Sequence, residues 1–332
     1  MRKVIGIGET VLDIIFKNGK PVSALPGGST FNAMISLGRS GVKTNFISET
    51  GNDRVGEHVI DFMKDNGIST ENVSVFSESK TPLALAFLDD QNNADYVFYK
   101  DHPHDQLEFS FPEVNRDDIV LFGSFFAVNP AVRSQVACFL DMAREHGAIL
   151  YYDVNYRLAH KNELLKITPN LLDNLDYADI VRGSHEDFDV IYNMPDPDKV
   201  YHAEISFYCK KFICTQGHRP IEVRAEDNFR KSYSVADTKT VSTVGAGDNF
   251  NAGFIYGTEF SGAGVYASCV GKAGEDRSDG GCFTPGDVKC PARCSALYRS
   301  ILYCRVGGTL PEREKKLDTQ CMHDFTDPAA CI

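Results

Sequence analysis

Apolar positions over the first 257 residues fall into two periods that take turns along the chain. Residues 3–8, "KVIGIG", form a short apolar run closed by glycine, the pattern of a buried strand. In "STFNAMISLGRSG" the residues Phe31, Met34, Ile35 and Leu37 recur at helical spacing, and Gly38 and Gly41 mark the stop. "KTNFISETG" reads as a strand. "DRVGEHVIDFMKDNG" reads as an amphipathic helix with Val55, Val59, Phe62 and Met63 inward and Asn66-Gly67 at its end. "PLALAFLDDQNNADYVFYK" has two β-rich arms around a polar turn and predicts a hairpin over about residues 82–100. Strand and helix then alternate again: "DIVLFG", a helix near 130–145, "AILYYD", a helix near 162–175 and "ADIVRG". Short helices near 185–192 and 199–208 follow, then the strand "KFICT". Such alternation predicts an α/β fold, a doubly wound and mostly parallel sheet flanked by helices. The hairpin breaks the rhythm and is expected outside the main sheet, as a small β lid.

Composition narrows the function classes. With 332 residues the chain can bury a large core, and 42% hydrophobic with 24% charged residues is ordinary for a globular protein. A net charge of −12 argues against nucleic acid and anionic membrane as partners. Glu9 and Asp13 interrupt the N-terminal apolar run too soon for a signal peptide, and no run is long enough to span a bilayer. A cytoplasmic enzyme is the expected class. Cysteines are sparse up to residue 268 (Cys138, Cys209, Cys214), as suits a reducing compartment.

The densest chemistry lies at residues 245–248. Gly245, Ala246 and Gly247 stand where a strand passes into a helix, followed at once by Asp248. In open α/β sheets ligands bind beyond the carboxyl ends of the strands. A helix starting there aims unpaired N–H groups and its positive dipole end at that crevice, and small residues let an anion approach the backbone. A carboxylate beside bound phosphate is repelled, unless it accepts the proton of a hydroxyl attacking phosphorus. The plainer reading is a tight turn, with Asp248 as a first-turn carboxylate.

Context favours the chemistry. "TVSTVGAGDNFNAGFIYG", residues 240–257, resembles the C-terminal signature of the ribokinase-like (PfkB) carbohydrate kinases, and "PGGSTFNAMISLGRSG" resembles their N-terminal signature. The likeness extends over about residues 3–257. It implies a ribokinase-like fold, ATP and Mg2+ as cofactors, a sugar and a nucleotide as small-molecule partners, and transfer to a sugar hydroxyl, with the overall pattern most like the fructokinase branch. Asp248 becomes the general base, and Gly245, Ala246 and Gly247 the anion hole. Asp13 suits two vicinal hydroxyls, Gly27 and Gly28 bring backbone to the ring, and Asn32 offers a donor and an acceptor. "YYDVNYR" matches an Asp-x-Asn-x-Arg pattern at Asp153, Asn155 and Arg157, placing Arg157 on the sugar or the transferred phosphoryl group and Asn155 with the nucleotide. In "RGSHEDF", Ser184 and Asp187 replace the family's Asn-x-x-Glu near magnesium and phosphates. Asp187 is shorter and would act through water, or Glu186 would take its place. "CTQGH" assigns Thr215 and Gly217 to the nucleotide. Ser242 stands where the family often has an aspartate that helps hold a monovalent cation, so potassium dependence does not follow. The exposed hairpin points to a homodimer.

A non-catalytic sugar- or nucleotide-binding relative of the same fold, acting as a sensor or partner, is the alternative, and the complete Gly-Ala-Gly-Asp turn favours the enzyme. "GIGETV" lacks the third glycine of a dinucleotide fingerprint, and no Gly-x-x-x-x-Gly-Lys-Ser/Thr occurs. "DHPHD" at 101–105 reads as a solvated polar stretch rather than a metal site. Residues 258–332 differ from the rest: Cys269, Cys282, Cys290, Cys294, Cys304, Cys321 and Cys331 crowd there without Cys-x-x-Cys pairs or a sustained helical period. A genuine Cys-rich appendage is one reading; the favoured expectation is a reading frame shifted shortly after Gly257, giving a tail too poor in packing residues to order fully.

Overall fold

The computed structural model describes residues 2–89, 94–100, 110–226, 228–235 and 245–260. Strand β1 (Val4–Ile7) is buried at all four positions. After it come β2 (Val11–Lys17), β3 (Lys20–Gly27), α1 (Ser29–Arg39), β4 (Thr44–Gly51) and α2 (Arg54–Asp65). Next are β5 (Ile68–Ser69), β6 (Val73–Phe76), β7 (Leu83–Leu88) and β8 (Ala94–Tyr99). The middle of the chain supplies β9 (Ile119–Gly123), α3 (Ser124–Val128), α4 (Arg133–Glu145), β10 (Ile149–Asp153) and α5 (Leu164–Tyr177). The last elements are β11 (Ile180–Ser184), α6 (His185–Tyr192), α7 (Pro197–Val200), β12 (Phe212–Gln216), β13 (Arg219–Arg224), β14 (Arg230–Tyr233) and α8 (Ala246–Phe260).

The main sheet has the order β14-β13-β12-β11-β10-β9-β1-β4-β5, with β6 also paired to β4. From β12 to β5 every pairing is parallel, and β13 and β14 add an antiparallel edge. Its strands are apolar on both faces because helices cover both. Val120, Phe122, Leu150 and Tyr152 face one core with Phe139 and Leu140 of α4 and Ile167, Leu171 and Leu175 of α5. Their neighbours Ile119, Leu121 and Tyr151 face the other, with Phe31, Met34 and Leu37 of α1, Val59 and Met63 of α2, and Phe254 and Ile255 of α8. The doubly wound α/β architecture read from the alternation is what the chain adopts.

A second sheet has the order β3-β2-β7-β8. The hairpin expected over 82–100 is its β7–β8 arm, antiparallel from Leu83↔Tyr99 to Leu88↔Ala94. It does not stand alone, because β2 pairs with β7 in parallel and β3 with β2 in antiparallel. Residues 11–27 are therefore strands, which the sequence reading did not assign. Their turn is Asn18-Gly19, both at positive φ (53° and 72°), the two-residue geometry whose twist matches a hairpin.

One boundary also moves. The helix expected at 199–208 is α7 followed by a single π-helical turn, Tyr201–Ile205. Helix α8 runs to Phe260, with Thr258 buried. The polar stretch 101–105, Ser242 and the Cys-rich tail from residue 261 lie outside the described residues. Among the described residues no helix is long and apolar enough to cross a membrane.

Candidate active site

Helices α1 and α8 start side by side at the carboxyl end of the main sheet. Gly28 precedes α1 at φ 133°, where a Cβ would meet the Glu9 carbonyl oxygen at 2.4 Å, so only glycine fits. Gly245, at φ 74°, turns the chain into α8. Asp248, in the first turn of α8, is buried. Its Oδ1 accepts from Ser29 Oγ and its Oδ2 from Asn32 Nδ2, both at 2.9 Å. Both donors belong to the first turn of α1, and Ser36 donates to Asn249 Oδ1 at 2.7 Å one turn further on. Burial raises the Asp248 pKa above the ordinary aspartate value, the bonds from Asn32 and Ser29 oppose that shift, and nearby Asp153 adds to it. A carboxylate with a raised pKa, oriented by two donors, can take a proton from a hydroxyl.

The cavity in front of Asp248 is closed on the other side by the small sheet. Asp13 of β2 lines it, with Tyr96 and Phe98 of β8, Phe125, Asn155, Arg157 and His160. Burial pushes the Asp13 carboxyl up to about 7, against the pull of Arg157, while Glu9 and Asp248 add to the rise. Arg157 lies 5.1 Å from the centre of the Tyr96 ring and feels Asp248 and Asp13 together. Gly27 leaves room for Asp13, since a Cβ there would stand 2.0 Å from Asp13 Oδ2. Above Phe98 and Phe125 lies Lys100, which pairs with Glu9 across the rim.

The sequence-derived residues thus divide into two groups. Asp13, Gly28, Asn32, Arg157, Gly245 and Asp248 line one cavity, with Gly27 directly behind Asp13. Asn155, grouped above with the nucleotide, lines that cavity too, at φ 31°, and its amide donates to Ser29 Oγ. Ser184, Asp187, Thr215 and Gly217 lie along the ends of β11 and β12 instead. Ser184 caps α6, and Asp187 returns the bond in a capping box. Both Asp187 oxygens are engaged: Oδ1 by Tyr156 N at 2.8 Å, Oδ2 by Ser184 N at 2.6 Å and Ser184 Oγ at 2.8 Å. Gly217 turns β12 into β13 at φ 64° with open space around it. Ser29, Tyr96, Phe98, Phe125 and His160 were missed by sequence reasoning, although Ser29 lies inside the quoted "PGGSTFN" motif.

Behind the first turn of α8 runs a buried polar chain. Arg182 NH1 pairs with Asp153 Oδ1 at 2.9 Å, and Arg182 NH2 donates to Thr215 Oγ1 at 2.7 Å. Asp153 Oδ2 accepts from Asn251 Nδ2 at 2.7 Å, and Asn251 Oδ1 accepts from the Tyr151 hydroxyl at 3.0 Å. Burial works against the Arg182 charge, but Asp153, Tyr151 and Asp187 together outweigh it and hold the guanidinium pKa above its ordinary value. Among the described residues no three His, Cys, Asp or Glu side chains gather as a metal-ligand set. Both Asp187 oxygens already accept hydrogen bonds within the protein, so they fit contact with Mg2+ through water rather than direct ligation.

The profile of the pfkB family carbohydrate kinases matches residues 1–265. A 5-dehydro-2-deoxygluconokinase of Geobacillus thermodenitrificans is 29% identical over 257 residues, covering 70% of this chain and 71% of that protein. "Probable fructokinase-4" of Arabidopsis thaliana is 24% identical over 263 residues, covering 74% and 79%. Among solved structures, Vibrio cholerae fructokinase with fructose, ADP and calcium bound superposes with a TM-score of 0.69 at 21% identity, covering 77% of this chain and 83% of that one. Salmonella enterica aminoimidazole riboside kinase, with its riboside and an ATP analogue, gives 0.65 at 20% identity, covering 77% and 84%. A ribokinase-like fold, two helix starts meeting at a buried aspartate, and a family match over most of the length lead to one assignment: the chain belongs to the pfkB family of carbohydrate kinases, phosphotransferases that act on sugar hydroxyls.

Proposed function

We propose that this chain phosphorylates a sugar hydroxyl at the expense of ATP, with Asp248 as the general base. The observation that carries the reading is the carboxylate of Asp248, held by Ser29 and Asn32 at the start of α8 and opening on the same cavity as Asp13 and Arg157. Asp13, Asn32 and the Gly27-Gly28 backbone hold the sugar. The acceptor oxygen attacks the γ-phosphorus as its proton passes to Asp248. The bond from that phosphorus to the bridging oxygen breaks, and ADP departs with the electron pair. The amides of Gly245, Ala246 and Gly247 take the charge on the transferred oxygens, and Arg157 adds a cation from the sugar side. Thr215 and Gly217 border the nucleotide. Mg2+ would enter with ATP and supply positive charge to the phosphates, and Asp187 or exposed Glu186 would meet it through water.

Fructose is the proposed substrate on the pattern of the two signatures and the likeness to a fructokinase fold. The Geobacillus relative favours a second candidate, 5-dehydro-2-deoxygluconate, because its identity to this chain is higher. Release of ADP with fructose, 5-dehydro-2-deoxygluconate, ribose and nucleosides decides between them, and ATP binding without turnover on any of these would refute the kinase reading. The small sheet serves as the lid over the sugar. Its outer face, with Phe16 stacked on Phe87 and with Val97 and Tyr99 exposed, supports the homodimer. A cytoplasmic setting, where Cys138, Cys209 and Cys214 stay free, belongs to the same proposal.

A further inference from the structure

Arg182 takes no part in the chemistry above, yet its position is tightly constrained. It is 5% exposed in the middle of β11, and its guanidinium lies against Gly247: a Cβ on that glycine would stand 3.0 Å from both terminal nitrogens. Gly247 therefore lacks a side chain for a reason on its inner side as well as for anion access on its outer side. The same planar group reaches Thr215 at the end of β12 and lies 5.7 Å from the centre of the Phe250 ring. It is the guanidinium, and not the Asp153 carboxylate, that the first turn of α8 rests on. A buried ion pair is a poor source of stability, since well-packed apolar residues do as well. Its value here lies in where its positive end points.

We propose that Arg182 is a positioning residue for the nucleotide phosphates: held by Asp153 and Thr215, it fixes the first turn of α8 and lays the positive end of an ion pair beneath the amides of Gly245–Gly247. The inference deepens the phosphoryl-transfer reading and rests on it. An arginine suits the task because its rigid fork meets two acceptors at once while its flat face supports a glycine, which a lysine cannot do. The pair also ties the strand bordering the nucleotide to the helix start beside Asp248, so the two substrate sides share one rigid element.

Calorimetric titration of ATP into the parent and into Arg182→Met tests this, together with kcat on the sugar the parent phosphorylates best. ATP is expected to bind about 10- to 100-fold more weakly to Arg182→Met and kcat to fall by a similar factor, the scale of a lost charge contact near a reacting anion. Sugar affinity should stay within about twofold of the parent, and Arg182→Lys should recover part of the loss, a pattern that a purely structural role does not produce. If Arg182→Met does not fold because Asp153 is stranded, Arg182→Met with Asp153→Asn removes that charge, and Gly247→Ala displaces the guanidinium without deleting it. A folded variant with ATP affinity and kcat within twofold of the parent overturns the proposal. So does failure of all three to fold, which assigns Arg182 to the core alone. A parent that turns over no sugar refutes the kinase reading instead, and the ATP titrations still decide the role of Arg182.

Discussion

Replacing Asp248 with asparagine separates catalysis from folding. The amide keeps the shape of the carboxylate. Its oxygen can accept from Asn32 Nδ2, and its NH2 group can donate to Ser29, whose hydroxyl rotates to accept. Ser29 also accepts from Asn155, so its proton and the second amide N–H must turn toward the cavity, a small cost that leaves the meeting of α1 and α8 in place. What disappears is the proton acceptor, and a positioned base is worth about 10²–10⁴ in rate. That corresponds to roughly 3–5 kcal/mol of barrier. Stability moves the other way. Burial holds the Asp248 pKa above its unfolded value, so ionising it costs the folded state more than the unfolded one. The cost is absent below the unfolded pKa, grows as pH rises between the two values and is complete above the folded one. At neutral pH Asp248→Asn should therefore melt at or above the parent temperature. A coupled ADP-release assay and a thermal melt on the same preparation read both effects. A variant that keeps kcat within tenfold of the parent, or that loses activity only because it melts lower, would refute the reasoning.

Asp13, with its carboxyl near 7, should make sugar affinity pH-dependent: KM for the sugar is expected to fall as pH rises through about 7 and the acceptor ionises. The same shift means that free enzyme loses stability as pH rises from the unfolded value to about 7, by at most roughly 4 kcal/mol, and chemical melts of Asp13→Asn from pH 5 to 8 should be flatter than the parent's. Gly27→Ala sets a methyl where Asp13 Oδ2 now lies, so KM for the sugar should rise at least tenfold with kcat little changed, as steady-state kinetics would show. Hydrogen exchange of β7 and β8 should slow under saturating sugar, and unchanged rates would remove the lid from the proposal.

The main sheet was legible because it is covered on both faces, so its strands are continuous apolar runs that alternate cleanly with amphipathic helices. The small sheet was half legible. Its β7–β8 arm has β-rich residues on both sides of a polar turn, but residues 11–27 mix Asp13, Lys17, Pro21 and Pro26 into the strands. The available signal was Asn18-Gly19, a hairpin turn flanked by "VLDIIFK" and "KPVSALPG". The Gly245–Asp248 turn at the start of α8 stood out in the sequence because its candidate chemistry is local to four residues. Ser29, Tyr96 and Phe98 could not, because they matter through contacts that only the tertiary fold creates. Asp187 shows the opposite case: a motif position whose carboxylate serves in a helix capping box, a local role the motif comparison did not bring out.

The bonds from Ser29 and Asn32 to Asp248 join positions 219 and 216 residues apart in the chain. Strand β1 cannot acquire both neighbours until β9 is made, because it lies between β9 and β4. A ribosome that has delivered the first two hundred residues has already made Asp13, the Gly27-Gly28 pair, Asn32 and Arg157, yet neither Asp248 nor the glycine turn exists. Such contacts of long sequence separation form late. On the proposed roles, a growing chain holds the sugar-side residues before it has the base, and the order in which the residues are encoded would bar hydrolytic waste of ATP during synthesis.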